Sequence, residues 1–340
     1  MKITSITMVK NEMDIIESFI RYNINIVDEM IILDNGSTDY TLDIINNLIE
    51  EGLNIVLLHD DDSYYNQDVK MTKLMHKAVN EFDADMICVI DADEFIASSV
   101  GNPREIIKNL DSSTYYQLKW VTYILTGEED DNIKFIPSKI NHIRDEKYEH
   151  LYKVIVPAEI VKNYDVSLKM GNHNLVFNSA NAIEPNQNVN LKIAHFPLRS
   201  KDQCMSKILV GWPNLLEKHQ ENNEYGVHWK LFFEEIRKNN TLSDEDLQKF
   251  SKNYSFARFN DDIEIKKQPM NLDFCQDIEI KYDFDYNYLA NILDNYLYMS
   301  SEIIIYKNKI DLLENEIEKY KNSKSWKITK PLRKIMKIFN

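Results

Sequence analysis

The 340-residue sequence predicts an α/β protein: a mostly parallel, Rossmann-like sheet flanked by helices, then a helical C-terminal extension with a coiled-coil-like helix. Three observations predict it. Strand-like apolar runs alternate with helically spaced apolar residues through the first hundred positions, every one of those runs ends in polar residues, and an apolar stripe spaced three and four alternately runs from Leu289 to Tyr320.

The first strand begins at Ile3 and ends in Met8-Val9-Lys10-Asn11-Glu12, after which Ile15, Ile16, Phe19, Ile20 and Asn23 keep helical spacing. The second, Met30 to Leu33 in sequence, runs into Asp34-Asn35-Gly36-Ser37-Thr38-Asp39. Ser37, Thr38 or Asp39 caps a helix carrying Leu42, Ile45, Leu48 and Ile49, and Gly52 stops it. A third strand at 54–58 leads through His59-Asp60-Asp61-Asp62 to a helix whose inner face is Met71, Leu74, Met75, Ala78, Val79 and Phe82. The fourth run, Ile87-Cys88-Val89-Ile90, stops at Asp91-Ala92-Asp93-Glu94. Parallel neighbours need crossover connections of fixed hand, so all four polar ends fall at one sheet edge, where open α/β sheets bind ligands. Three carboxylates in four positions put hard oxygen ligands at the mouth of a buried strand, and Asp91 and Asp93 are placed where a divalent cation and a phosphate-bearing ligand would sit.

Val9-Lys10-Asn11-Glu12, Asp34-Asn35-Gly36-Ser37-Thr38-Asp39 and Asp91-Ala92-Asp93-Glu94-Phe95, in that order, resemble the nucleotide-sugar-binding half of the family 2 glycosyltransferases of GT-A fold. The resemblance is strong over residues 1–100. It continues more loosely through Lys153-Val154-Ile155-Val156, Gly171-Asn172-His173 and His195-Phe196-Pro197-Leu198-Arg199-Ser200, where it is nearest to the bacterial branch that decorates surface polysaccharides. It implies an inverting transfer from a nucleotide-sugar donor. The family often has Asp-Asp before Gly-Ser; here the second position is Asn35, which leaves Asp34 as the partner for the nucleobase.

A nucleoside diphosphate develops negative charge as it departs, and Mg²⁺ or Mn²⁺ held by one or two carboxylates neutralises that charge. Asp93 is the expected direct ligand, with Asp91 reaching the ribose, or the metal through water. The resemblance adds a distal His, either His195 or His173, and imidazole suits Mn²⁺ better than Mg²⁺. Asn11 and Glu12 are expected at the nucleoside, although Asn11 equally suits a helix cap. Lys70 and Lys73, one helical turn apart, are expected near the diphosphate as point charges. An inverting transfer also needs a base for the acceptor hydroxyl, and the candidates are Asp145, Glu146 and Glu149 in the His142–His150 cluster.

Three cysteines far apart in sequence (Cys88, Cys204, Cys275) build neither a disulfide framework nor a zinc spacing, which favours a reducing compartment. The chain enters its first strand at Ile3, without room for a signal peptide, and no apolar stretch approaches the ~20 residues of a spanning helix. The formal net charge is −15, yet from Lys319 onward there are eight basic residues and no acid, leaving 32 basic against 55 acidic residues elsewhere. Such a body repels nucleic acid, and the basic end attracts anionic surfaces. In that end, Pro331 starts a helix with Leu332, Ile335, Met336 and Phe339 on one face and Trp326 just upstream. Residues 325–333 also resemble a tail seen in polysaccharide-assembling glycosyltransferases. The expected localisation is cytoplasmic, peripheral on the inner face of the cell membrane.

The stripe Leu289, Ile292, Tyr296, Met299, Ile303, Tyr306, Ile310, Leu313, Ile317 and Tyr320 has coiled-coil spacing, which predicts a homo-oligomer through residues 289–320; a helix packed on its own domain would show the same stripe. Residues 200–287 are expected to be helical and to cover the acceptor side, with a Ser200/Gln203 capping box and helices at 228–239 and 243–252. The predicted organisation is a GT-A catalytic domain at 1–225, a helical extension at 226–287, the heptad helix at 288–322 and a basic amphipathic tail at 323–340. The expected partners are a nucleotide sugar, a saccharide or lipid-linked saccharide acceptor, and an anionic membrane surface. A nucleotidyltransferase is disfavoured because 9–13 holds no glycine, and a haloacid-type phosphatase because the acidic motif follows the fourth strand. An inactive scaffold of a polysaccharide-assembly complex is the non-enzymatic alternative.

Overall fold

The computed structural model describes residues 1–340 except 61–65, 179–180, 188, 219–225, 276–277, 283, 285–287 and 330–340. The Pro331, Leu332, Ile335, Met336 and Phe339 face therefore lies outside the described residues. Residues 1–288 and 289–340 are two compact units.

The first unit opens as predicted, with β1 (Ile3–Val9), α1 (Ile16–Asn23), β2 (Glu29–Asp34), α2 (Thr41–Glu50), β3 (Ile55–His59), α3 (Gln67–Asn80) and β4 (Met86–Val89). β1 pairs in parallel with both β2 and β4, and β2 with β3. Side chains of β4 alternate between two cores: Met86 and Cys88 join the one beneath α1 and α2, whereas Ile87 and Val89 join the one beneath α3. Fully burying an aliphatic side chain contributes about 1.5–3 kcal/mol, so both helix layers are fixed to the sheet by the same short run. The N-cap of α2 is Tyr40, without a side-chain cap bond, rather than Ser37, Thr38 or Asp39; Asp39 Oδ1 accepts the Thr41 N–H at 2.9 Å from one position outside it.

The chain then turns antiparallel. β5 (Glu94–Ala97), α4 (Pro103–Lys108), β6 (Tyr116–Ile124), α5 (Ile136–Lys139), β7 (His142–Arg144), β8 (Tyr152–Pro157) and α6 (Ala158–Asn163) follow. Next come β9 (Val166–Leu168) and β10 (Leu175–Phe177), which form a separate two-stranded sheet, then β11 (Lys192–His195). The main sheet has ten strands in the order β12-β7-β6-β8-β4-β1-β2-β3, where β12 is Ile265–Lys267, and β11 bridges β5 and β6. β8 runs antiparallel to β4, and β11 lies antiparallel to β5 with His195 opposite Glu94. That register brings a residue from late in the chain onto the acidic segment.

Helices α7 (Lys201–Lys218), α8 (Val227–Asn239) and α9 (Asp244–Lys252) match the predicted helical stretch. Half of the expected capping box forms at α7: Ser200 Oγ accepts the Gln203 N–H at 3.1 Å, but Gln203 Oε1 accepts from the Arg199 N–H instead. The stretch is not wholly helical. β12 extends the sheet edge through antiparallel pairing with β7, because Ile265 to Lys267 offer an extended backbone to an otherwise unpaired edge.

The second unit is dominated by α10, whose helix spans Tyr288–Asn322, followed by α11 (Lys324–Ile328), which Ser323 Oγ caps by accepting the Trp326 N–H. Along the stripe, Ile303, Ile310, Leu313 and Ile317 are each half exposed. Among the described residues no helix is long and apolar enough to cross a membrane.

Candidate active site

The acidic segment between β4 and β5 is held from beneath by Phe95, whose ring packs edge-on against Phe19, Tyr22 and Phe196. Asn23 Nδ2 donates to the Glu94 carbonyl, and the Phe196 N–H donates to the Asp93 carbonyl at 2.8 Å. Both backbone ties fix where the carboxylates point.

Asp93, Glu94 and His195 are all buried, and each presents a ligand atom within 4.8 Å of the others. His195 lies flat on Trp120, with ring centroids 3.9 Å apart. Burial lowers its pKa well below the usual value, so it stands as a neutral imidazole with a lone pair to offer. Glu94 Oε1 and His195 Nδ1 are buried with no hydrogen-bond partner among the described residues. His195 turns Nε2 toward Asp93, 3.8 Å from Oδ2, and two carboxylates beside an imidazole are a donor set that fits a divalent cation.

Asp93 has cationic neighbours: Lys207 Nζ at 2.7 Å from α7 and Arg199 Nη1 at 3.9 Å. Burial alone would raise the Asp93 carboxyl, but Lys207 and its neighbours hold it well below the usual range. Arg199 also binds Glu12 at 2.7 Å and Asp14 at 2.6 Å, joining the loop after β1 to the segment after β11. Burial pushes Glu12 up to about 7 in spite of Arg199.

Asp91 and His173 lie outside the three-ligand group. The Asp91 carboxylate accepts from Lys153 Nζ, from Asn172 Nδ2 at 3.1 Å and from Gln67 Nε2 at 3.3 Å. His173 holds its Nδ1 2.8 Å from the Tyr152 carbonyl, and burial takes its pKa down to about 4. That geometry leaves Nε2 as an acceptor. Trp120 contacts both imidazoles, meeting His173 edge-on at 5.3 Å. Asp91, Trp120, His173, His228, Trp229 and Tyr254 are among the residues that line a cleft of about 520 Å³.

The predicted nucleoside residues instead knit the loops after β1 and β2 together. Asn11, in the left-handed region at φ 56°, accepts the Thr38 N–H at 2.7 Å through Oδ1, and Asp34 accepts the Gly36 and Ser37 N–H groups. Gly36 makes that turn possible at φ 78°, where a Cβ is unfavourable. Lys70 ties the loop after β2 to the one after β3, binding Asn35 Oδ1 at 2.6 Å and Asp60 at 3.1 Å. Lys73 is exposed on α3, because the buried face of that helix is taken by Met71, Leu74 and Met75.

The three base candidates are separated from this cleft in different ways, and none of them lines it. Asp145 accepts the Lys147 N–H and starts a short 3₁₀ turn, whereas Glu146 pairs with Lys192 at 2.6 Å. Glu149 is buried against Arg144, taking two of its N–H groups and the Thr122 N–H. Arg144 in turn binds the Tyr254 carbonyl at 2.8 Å, so Glu149 holds the cleft wall through Arg144.

Sequence reasoning placed Asp93 and His195 in one site but passed over Glu94 as a ligand, and over Lys153 and Lys207 altogether. A lysine opening the apolar run Lys153-Val154-Ile155-Val156 is a signal, since a buried ammonium needs an acid. Lys207 gives no such sign.

Residues 4–100 match the family described as glycosyl transferase family 2. No curated protein sequence matches the chain. Among solved structures it is similar to S. aureus TarS residues 1–349, at 13% identity over 67% of this chain and 69% of that one, with a TM-score of 0.35. It is also similar to the mannosyltransferase PcManGT from Pyrobaculum calidifontis in complex with GDP-Man and Mn²⁺, at 16% identity over 37% and 36% of the two chains and a TM-score of 0.27. A third is glucosyl-3-phosphoglycerate synthase from Mycobacterium tuberculosis in complex with phosphoglyceric acid, at 20% identity over 35% and 44% with a TM-score of 0.23. The loops after β1, β2 and β4 that carry the acidic edge all lie inside the segment that matches the glycosyl transferase family 2 model, residues 4–100.

Proposed function

We propose that the enzyme is a metal-dependent, inverting transferase that moves a sugar from a nucleotide-sugar donor to a saccharide acceptor in surface polysaccharide assembly. The observation that carries this is the buried Asp93, Glu94 and His195 group, whose ligand atoms lie within 4.8 Å of one another, at the carboxyl edge of the parallel strands. Asp93, Glu94 and His195 would hold Mn²⁺ or Mg²⁺, which when bound supplies positive charge for a diphosphate leaving group.

The chain's own residues supply the rest. Lys207 and Arg199 keep Asp93 ionised, and Asp91, which accepts from Lys153, would meet the ribose. Asn11, Glu12, Asp34 and Lys70 shape the donor side, and the aromatic wall of the cleft suits an acceptor ring. In the transfer, the acceptor oxygen forms its bond to the anomeric carbon as the bond to the nucleoside diphosphate breaks. One of Asp145, Glu146 and Glu149 takes the hydroxyl proton. The domain limits 1–225, 226–287, 288–322 and 323–340 belong to the same proposal, as do the basic tail on an anionic membrane surface and self-association through residues 289–320. Calorimetric titration of a panel of nucleotide sugars with and without Mn²⁺ tests it; donor affinity that is the same in EDTA as in Mn²⁺ would sink the metal-dependent form.

A further inference from the structure

The stripe on α10 takes its meaning from the charges beside it. With Leu289, Tyr296, Ile303, Ile310 and Ile317 as the first apolar position of each heptad, and Ile292, Met299, Tyr306, Leu313 and Tyr320 as the second, the flanking positions are determined. Glu302, Lys309 and Glu316 precede the first apolar position, and Lys307, Glu314 and Lys321 follow the second. In a parallel, in-register pair of helices, a residue of the first kind faces the residue five later on the other chain. Of the five pairs, Tyr288 with Leu293 and Asn295 with Ser300 are uncharged, and the three charged ones, Glu302 with Lys307, Lys309 with Glu314 and Glu316 with Lys321, are all of opposite charge and each occurs twice.

We infer that α10 forms a parallel, in-register, two-stranded coiled coil with a second copy of this chain. The inference rests on the proposed self-association and adds its strand direction, register and stoichiometry. Along this seam Ile292 is 7% exposed, whereas Ile303 is 52% and Ile310 54% exposed, so it is the 303–317 stretch, which carries the charged flanks, that offers an apolar face. An antiparallel pair matches charges less fully: like positions then meet across the seam, and the best register pairs Lys309 with Glu316 and Lys307 with Glu314. Those contacts occur twice each, four in all against six. Parallel alignment also brings both C-terminal basic segments to one end, where they meet the same surface.

Charge exchange in the full-length enzyme separates the possibilities. Glu302→Lys with Lys309→Glu and Glu316→Lys makes every charged parallel contact repulsive but leaves an antiparallel pair attractive, since both members of its 309–316 contacts reverse together. Lys307→Glu with Glu314→Lys and Lys321→Glu is the reciprocal set. Light scattering is expected to give a wild-type dimer, a dissociation constant raised at least about tenfold in either variant alone, and a dimer restored on mixing the two. Circular dichroism checks that α10 stays helical. A first variant that remains dimeric overturns the parallel direction, and mixing that fails to restore the dimer overturns the pairing. A wild type larger than a dimer overturns the two-stranded form, toward which the apolar residues Leu297, Ile304 and Leu312 outside the seam would pull. A monomeric wild type removes self-association itself while leaving the transferase proposal untouched. Tyr320→Cys provides a second readout: oxidation links two parallel chains through position 320, and the absence of that link in a dimer argues for the antiparallel form.

Discussion

The Lys207 ammonium stands 2.7 Å from Asp93 Oδ2, so the acid proposed to hold the cation carries a counter-charge from the chain itself. Without a cation, Lys207 and Arg199 together neutralise a carboxylate that is 6% exposed. Removing one partner of such a buried pair typically costs about 3–5 kcal/mol, because the other charge is left in a low-dielectric site. Lys207→Met is therefore expected to lower the melting temperature in EDTA. Mn²⁺ at saturating concentration should recover part of that loss, by replacing the missing positive charge. Recovery no greater than in wild type would place the cation elsewhere.

Asp93→Asn removes the charge from the proposed ligand while keeping its shape. Metal-dependent donor binding is expected to disappear in calorimetry, and Asp91→Asn is expected to weaken it less. Asp91 lies outside the three-ligand group and already accepts from Lys153, Asn172 and Gln67. Equal losses in the two variants would argue that both carboxylates bind the cation.

The edge chemistry was legible and its reinforcement was not, for a physical reason. Strands β2, β3 and β4 announce themselves by unbroken apolar runs, β1 mixes apolar residues with Thr4, Ser5 and Thr7, and the stop at Asp91 marks where the fourth run ends. His195 entered through its resemblance to a motif; what positions it is its antiparallel register opposite Glu94, a pairing that no local pattern reveals. Lys207 is separated from Asp93 by 114 positions, and one lysine on an amphipathic helix looks like any solvated residue. Glu149 was ambiguous for the opposite reason: its acid-rich surroundings look like a solvated loop, but the side chain turns inward onto Arg144. Lys70 and Lys73 show the limit of spacing alone, since Lys70 binds the loops after β2 and β3 while Lys73 is exposed.

The base candidates can be told apart by what else each substitution disturbs. Glu149→Gln takes the charge from a buried pair with Arg144, and a loss of thermal stability should accompany any loss of turnover. Asp145→Asn and Glu146→Gln sit in partly exposed settings and should leave stability near wild type. Whichever of them is the base should lower turnover by roughly 10²–10⁴-fold with donor affinity intact. Near-normal turnover in all three variants would move the search to other groups around the cleft.

Gly171 occupies the left-handed region at φ 77°, and a Cβ there would fall 2.5 Å from His173 Nε2. Gly171→Ala is expected to destabilise the fold by about 1–3 kcal/mol and to displace the His173 ring from the cleft. Chemical-shift changes at the His173 imidazole, together with denaturant melts, check both effects. An unchanged ring environment would mean that the backbone relaxes instead.

His228 has a partnerless Nε2 among the described residues, and its ring lies 4.6 Å from that of Tyr254. Burial, reinforced by the positive charges of Lys207 and Arg144, takes its pKa down from 6.5 to about 3. The folded state therefore resists protonation where the unfolded chain accepts it. The stabilising difference is complete above pH 6.5 and is lost as pH falls from 6.5 toward 3, at up to about 1.4 kcal/mol per pH unit for one proton. His228→Gln should flatten that part of the stability curve between pH 7 and pH 5. Parallel curves for the two proteins would show that the imidazole titrates freely in the folded state.

The basic C-terminal segment calls for a separate test because its chemistry is independent of turnover. Lys319, Lys321, Lys324 and Lys327 precede four further basic residues with no intervening acid, and Trp326 is 43% exposed on α11. Each such charge adds about 1 kcal/mol at an anionic leaflet before screening, and an exposed indole suits the interfacial region. Deleting residues 323–340 is expected to release the enzyme from vesicles containing anionic lipid while turnover of a soluble acceptor analogue continues. Salt should release the full-length enzyme progressively, because the attraction is screened over about 8–10 Å at 0.1–0.15 M. Co-sedimentation with neutral and anionic vesicles at low and high salt separates the contributions. Binding that survives the deletion would place the membrane contact on the rest of the chain, and binding that ignores salt would make the exposed apolar residues, rather than the lysines, the anchor.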